Sequence, residues 1–290
     1  MFSPYYAAHR RRVGADYADP LVHCAMNVAL YGKGGHRWAM TERKGTRSIS
    51  GLSQGSVVQR AERSLVIGPS AVTWDGNAYT VQLDEVTMPF PSPIPHRIHG
   101  TVKLFPSALV DGDFDLDDAG CHRWRPLAPC AHVDVDLPSP GLKWSGSGYL
   151  DMNSGSAPLE RDFVDWSWSR AALKSGTAIL YDVTRRTGRD LAVAIKVDPS
   201  GRVEDVELPP RAGLKSTLWG ITRETRADAG HGASIAQTFE DGPFYARSLL
   251  STHILGERVP AVHESLSLDR FQSRWVQFLL PFKMPRRAGW

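Results

Sequence analysis

Two pairs of side chains in this sequence have the types and the spacing to do chemistry together. His122 and Trp124 stand two residues apart in Gly120-Cys121-His122-Arg123-Trp124. Tyr149 and Asp151 do the same in Trp144-Ser145-Gly146-Ser147-Gly148-Tyr149-Leu150-Asp151-Met152-Asn153. On a strand, residues i and i+2 point to the same face. If both segments are strands of one barrel, an acid or base, a carboxyl group, a phenol and an indole converge. The spacing also suits a plainer reading, in which a Trp and a Tyr pack into a core and an aspartate near a glycine-rich stretch serves a turn. Spacing alone favours the plainer reading.

Other motifs carry less. Gly51-Leu52-Ser53-Gln54-Gly55 matches the G-x-S-x-G nucleophile elbow, but that elbow needs a buried strand before it. Lys44-Gly45-Thr46-Arg47-Ser48 precedes it instead, so Lys44 to Gly55 reads as a polar loop. Cys121-His122, Cys130-x-His132 and His96-x-x-His99 miss the ligand spacings of structural zinc sites, and the cysteines read as small buried thiols. No glycine-rich fingerprint follows a strand and opens a helix, so no nucleotide cofactor is expected. Asp165-Trp166-Ser167-Trp168-Ser169-Arg170 reads as an aromatic wall or packed rim rather than a catalytic motif. The nine tryptophans favour a large apolar cavity, since each indole buries much area and needs only one partner for its N–H.

The elements that would position these residues are predicted to be strands. The 26 glycines and 20 prolines leave little room for long helices. Ala71-Val72-Thr73-Trp74, the turn dipeptide Asp75-Gly76 and the alternation from Tyr79 to Glu85 predict a hairpin. Leu191 to Val197, Asp198-Pro199-Ser200-Gly201 and Val203 to Leu208 predict another. Val102 to Phe105, Val133 to Leu137, Ile179 to Val183 and Trp275 to Leu280 read as further strands. Helices are expected only at Ser56 to Ser64 and Asp162 to Leu173. The density of turns favours an all-β fold of antiparallel barrels or sandwiches over a parallel α/β sheet. At 290 residues the chain is long enough for two domains. We place the division near residue 155, giving domains 1–155 and 156–290.

Composition narrows the class. With 42% hydrophobic and 22% charged residues, the chain is globular. No run approaches the ~18 apolar residues of a membrane span. Met1-Phe2-Ser3-Pro4-Tyr5-Tyr6 lacks the apolar core of a signal peptide, which argues against export. Three scattered cysteines (Cys24, Cys121, Cys130) suit a reducing compartment. A net charge of +3 is too weak to imply nucleic acid. Basic residues do gather at the ends, at Arg10-Arg11-Arg12 and at Lys283, Arg286 and Arg287. They form a solvated edge or a hold on an anionic membrane.

Read in order, several segments resemble the carotenoid 1,2-hydratase (hydroxyneurosporene synthase) family. They include Phe2-Ser3-Pro4-Tyr5-Tyr6-Ala7, Asn27-Val28-Ala29-Leu30-Tyr31-Gly32, Arg37-Trp38-Ala39-Met40-Thr41-Glu42-Arg43 and Ile67-Gly68-Pro69-Ser70. Later come His122-Arg123-Trp124, Gly148-Tyr149-Leu150-Asp151, Trp168-Ser169-Arg170-Ala171, Leu180-Tyr181-Asp182-Val183, Pro243-Phe244-Tyr245-Ala246-Arg247 and His263 to Phe271. The resemblance covers essentially the whole chain. It implies two lipocalin-like domains and cofactor-independent addition of water to the terminal double bond of an acyclic carotenoid such as neurosporene or lycopene, giving a tertiary alcohol. It also implies that His122, Trp124, Tyr149 and Asp151 are essential. Two departures stand out. Family members carry an aromatic-rich strand ahead of Phe2-Ser3-Pro4, so either the N-terminal domain lacks a first strand or this sequence starts late. The Lys44 to Gly55 stretch is longer than the family pattern.

Hydrating an alkene without a metal needs a proton first, and then water on the tertiary cation. Asp151 is the expected acid, its pKa raised by an apolar pocket. Trp124 and Tyr149 would face the cation. His122 would hold Asp151 in its acid form, orient the water or take the oxonium proton. The substrate is a membrane lipid, so a peripheral protein on the cytoplasmic side of the membrane is expected, with Tyr5, Tyr6 and Arg10 to Arg12 as one candidate contact. A non-catalytic polyene carrier and a related terpenoid or polyketide enzyme, such as a pericyclase, are the competing readings.

Overall fold

A computed structural model describes residues 3–14, 18–32, 36–43, 58–61, 63–87 and 94–287. The Gly51 to Gly55 motif and the Lys44 to Gly55 stretch lie outside these residues. The fold is almost entirely antiparallel β. The strands are Cys24–Leu30 (β1), Arg37–Arg43 (β2), Val58–Ala61 (β3), Ser64–Ile67 (β4), Ser70–Trp74 (β5), Tyr79–Val86 (β6), Arg97–Pro106 (β7), Phe114–Asp115 (β8), His122–Ser139 (β9) and Leu142–Gly155 (β10). There follow Phe163–Leu173 (β11), Gly176–Arg185 (β12), Leu191–Val197 (β13), Val203–Asp205 (β14), Arg211–Leu214 (β15), Arg223–Arg226 (β16), Ser234–Asp241 (β17), Tyr245–Ile254 (β18), Glu257–Ser267 (β19) and Arg286–Arg287 (β20). The helices are Pro4–Val13 (α1), Leu159–Asp162 (α2), Leu268–Gln272 (α3) and Arg274–Lys283 (α4), with a 3₁₀ turn at Pro20–His23.

The chain forms two compact units. One holds residues 1–105, 133–146 and 277–290, and the other holds 106–132 and 147–276. These differ from the division expected near residue 155, because β9 and β10 are long strands of 18 and 14 residues that each run through both units. In the first unit the core joins Val28, Ala39, Leu83, Ile98, Val133, Val135 and Leu137. The sequence alternation explains it: Val133, Val135 and Leu137 share one face of β9, with Asp134 and Asp136 exposed between them. Buried Glu42 accepts from Arg286 Nη1 at 2.8 Å and from the Ser3 hydroxyl, and lies 2.8 Å from His23 Nδ1. Arg286 is therefore a structural cation and not part of a free basic edge.

The second unit carries a seven-stranded sheet in the order β14-β13-β12-β11-β19-β18-β17, antiparallel throughout. Its core on one face joins Ala171, Ala178, Leu180, Ala194, Leu250, Ile254 and Ala261. Both expected hairpins are present. In the β5–β6 turn, Asp75 Oδ1 accepts from the backbone N–H groups of Asn77 and Ala78 at 2.8 and 2.7 Å, and Gly76 takes a φ of 100°. The β13–β14 turn uses Asp198 and Gly201 in the same way, with Gly201 at a φ of 86°.

Three expectations about elements need correction. Within Ser56 to Ser64 the described residues form β3 and the start of β4, not a helix, because pairing with β4 overrides local preference. The segment Asp162 to Leu173 is strand β11 from Phe163 onward. Its Trp-Ser-Trp-Ser-Arg alternation has the two-residue period of a strand. Conversely, Trp275 to Leu280 belongs to helix α4. A short continuous apolar run does not separate helix from strand.

Candidate active site

The four residues singled out by spacing all lie in the second unit. On β9, His122 and Trp124 face inward, with 2% and 0% exposure, while Arg123 between them is exposed. On β10, Tyr149 and Asp151 are half-buried. Trp124 donates its Nε1–H to Asp151 Oδ2 at 2.9 Å, and the Tyr149 hydroxyl donates to the same oxygen at 3.1 Å. Three of the four are thus joined directly. With Oδ2 accepting two hydrogen bonds, the acid form of Asp151 carries its proton on Oδ1.

His122 is turned away from this cluster. Its Nε2 lies 2.8 Å from Asp162 Oδ2, and its ring packs on Phe163 with centroids 4.8 Å apart. No hydrogen bond joins His122 to Asp151 among the described residues. The expectation that His122 holds Asp151 in its acid form through direct contact has no geometric support. Asp162 is itself held below the usual carboxylate range, first by hydrogen bonds from Arg161. A glycine on β10 makes room for the imidazole. A Cβ at Gly155 would lie 2.8 Å from His122 Nδ1 and 3.0 Å from the Cys121 carbonyl oxygen.

The seven-stranded sheet supplies the wall. Cross-strand register places Tyr181 opposite Trp168, Trp168 opposite Glu264, Glu264 opposite Arg247, and Arg247 opposite Glu240. One row across five strands therefore shares a single face. Tyr181 meets Trp124 edge-on at 5.5 Å, and Trp168 meets Tyr149 at 5.4 Å. Two residues along β11, the Arg170 guanidinium sits 5.0 Å from the centre of the Tyr149 ring. Arg247 donates to Glu264 Oε1 from Nε at 2.9 Å and lies 2.7 Å from it through Nη2. The buried Trp168 Nε1–H has no hydrogen-bond partner among the described residues.

Burial dominates the electrostatics. It raises the pKa of Asp151 above 3.8, the ordinary value, and the nearby Glu264 charge adds to the rise. The Trp124 and Tyr149 donors and the Arg170 charge oppose it. Burial also raises the phenols of Tyr149 and Tyr181, and lowers the pKa of Arg170. Among the described residues, no cluster of three or more His, Cys, Asp or Glu side chains is set to hold a metal ion.

Sequence reasoning missed Glu264, Arg247, Tyr181 and Trp168 as members of this cluster. The Trp-x-Trp-x-Arg and Tyr-x-Arg alternations of β11 and β18 are the local signal, but only the register across the sheet brings them together. Ser167, Asp182 and Ser265 alternate with the row and point the other way. They line a polar cavity of about 350 Å³ that includes none of the four candidate residues.

The whole chain, residues 1–290, matches the model of the carotenoid hydratase CrtC family. The chain belongs to that family. It is 50% identical to the acyclic carotenoid 1,2-hydratase of Thiocapsa roseopersicina over 290 residues, covering all of this chain and 67% of that protein. It is 45% identical to the Rubrivivax gelatinosus protein of the same name, covering 99% of this chain and 68% of that one. With the Cereibacter sphaeroides protein, again of that name, identity is 36% over 100% of this chain and 96% of the relative. Among solved structures, a candidate AttH from Nitrosomonas europaea superposes with a TM-score of 0.57 at 14% identity, covering 83% of this chain and 80% of that one. That likeness concerns the fold alone, and it agrees with the expected all-β, lipocalin-like architecture. In this CrtC family member, the Asp151 cluster joins a carboxyl group, an indole and a phenol through two hydrogen bonds.

Proposed function

We propose that this chain is a hydro-lyase that adds water across the terminal C=C bond of an acyclic carotenoid, giving a tertiary alcohol. The observation that carries the reading is one half-buried carboxyl group, Asp151, set among aromatic rings with two donors on a single oxygen. Asp151 Oδ1 gives its proton to the less substituted alkene carbon. A new C–H bond forms from the π pair, and the positive charge falls on the tertiary carbon. Water attacks that carbon, and the oxonium proton returns to the Asp151 carboxylate, so one water is added and the acid is regenerated.

Burial and hydrogen bonding act on opposite sides of this step. Burial favours the acid form of Asp151 beforehand. The Trp124 N–H and Tyr149 O–H favour the carboxylate that forms when the proton leaves, and so stabilise the transition state. The aromatic rings face the cation at this half-buried site. Arg170 already lies over the Tyr149 ring, so Trp124, Trp168 and Tyr181 carry more of that task. The unpartnered Trp168 N–H is a donor for the incoming water. His122, tied to Asp162, acts as a positioning residue for the start of β9, where Trp124 follows two residues on.

The substrate dissolves in the bilayer, so the enzyme works as a peripheral protein, on the cytoplasmic side of the membrane. Three free thiols suit that compartment. No helix of the described residues is long and apolar enough to cross a membrane. The test is incubation of the purified chain with lycopene or neurosporene in ¹⁸O-labelled water. The expected product carries one added water with the label in its hydroxyl group. Recovery of unchanged, tightly bound polyene would instead mark a carrier and overturn the hydratase reading.

A further inference from the structure

Helix α4, Arg274–Lys283, turns its apolar side chains the wrong way for a surface helix. Only Val276 is fully buried along it. Phe278 and Phe282 are 70% and 67% exposed, and Trp275 and Leu279 are 43% and 39% exposed. These four stand at i, i+3, i+4 and i+7, which makes one continuous stripe. Exposed cations bracket it, Arg274 at one end and Lys283 at the other. Arg274 makes no ion pair among the described residues. Trp219 stacks on Trp275 with ring centroids 5.8 Å apart, and its neighbour Leu218 is 99% exposed.

We propose that this face of α4 docks on an anionic lipid bilayer, with its aromatic stripe lying in the headgroup region. Large aromatic side chains with Lys or Arg at the borders are the composition of an interfacial helix. Ten residues span about 15 Å, a length that suits an interfacial helix lying in the headgroup plane. A bilayer needs no complementary shape, so the small stripe suffices for a reversible hold. The choice of lipid over protein also draws on the carotenoid reading, because that substrate is delivered from a membrane.

The experiment is flotation of the full chain with vesicles of phosphatidylcholine, alone or mixed with phosphatidylglycerol. The native chain is expected to float, more strongly with the anionic lipid. A Phe278→Glu/Phe282→Glu variant is expected to lose about tenfold or more in vesicle binding, while hydrating detergent-dispersed carotenoid at the native rate. Phe278→Ser/Phe282→Ser is the second variant, free of added charge, and should show the same loss. Arg274→Glu/Lys283→Glu is expected to remove the preference for phosphatidylglycerol. Vesicle binding that persists in both phenylalanine variants, or is absent from the native chain, overturns the proposal. So does concentration-dependent self-association of the native chain that those variants abolish, which would assign the face to a second copy. Loss of hydration in detergent with flotation intact would count against the hydratase reading and not against α4.

Discussion

The indole N–H of Trp124 points at Asp151 Oδ2 across 2.9 Å and shares that oxygen with the Tyr149 hydroxyl. Both donors favour the ionised carboxylate, so removing either should raise the Asp151 pKa further. If Asp151 is the acid, its protonated form is the active one, and the rate falls as pH rises through that pKa. Trp124→Phe and Tyr149→Phe should each move the alkaline limb of the kcat/KM profile to higher pH while lowering kcat. Trp124→Ala, which also removes the ring, should lose more activity than Trp124→Phe. Profiles of the three variants beside the native enzyme check this, and equal losses in the two Trp124 variants would point to cavity shape rather than charge stabilisation.

Gly155 leaves the space that the His122 ring occupies. A methyl group there would press on Nδ1 and on the Cys121 backbone, so Gly155→Ala should displace His122 from Asp162. The start of β9 should follow, and with it Trp124. We expect kcat to fall by about tenfold or more with KM little changed. A native-like kcat in Gly155→Ala would show that the His122–Asp162 contact has no part in positioning the acid.

Glu264 sits on the sheet face that walls the site, held by Arg247 at 2.7 Å. Its charge helps to raise Asp151. Glu264→Gln should therefore lower the Asp151 pKa and bring the alkaline limb down in pH, opposite to the effect of Trp124→Phe. A limb that moves upward or stays in place would remove Glu264 from the electrostatics of the acid.

Much of this arrangement was legible in the chain. The i, i+2 spacing of Tyr149 with Asp151, and of His122 with Trp124, places each pair on one strand face, and β9 and β10 deliver them so. The Asp75-Gly76 and Asp198-Gly201 turns were equally plain, because their conformations are local. Cross-strand register is not local. No spacing reveals that Glu264 lies opposite Trp168, or that His122 meets Asp162 rather than Asp151. The family resemblance named all four residues but not which of them touch. The element errors have the same root. At Trp275 to Leu280 an apolar run fits either period, and only its exposure pattern marks a helix. At β11 the alternation of indoles and serines carries the two-residue period of a strand, in a segment short enough to suit a helix as well.

Stability should fall on the acid side through His263. Burial lowers its pKa to about 4, against 6.5 for the free side chain. The unfolded chain therefore binds the proton more tightly than the folded one. The stability that this shift contributes is complete above about pH 6.5 and declines as pH falls toward 4, by roughly 3 kcal/mol at most. Asp151 adds a trend in the other direction. Its raised pKa favours the folded state at low pH, and that contribution is lost as pH rises through the folded pKa. Thermal melts of native and His263→Gln chains across this window check the first effect, since the variant should lose most of the acid slope.

Turnover by Asp151→Asn, with carotenoid binding followed in parallel, tests the central assignment most directly. The amide keeps the acceptor oxygen for Trp124 and Tyr149 but has no acidic proton to give. If Asp151 is the acid, the variant binds acyclic carotenoid and forms no detectable tertiary alcohol. Hydration near the native rate would contradict that assignment and transfer the proton-donating role to another group, with His122 the first to examine.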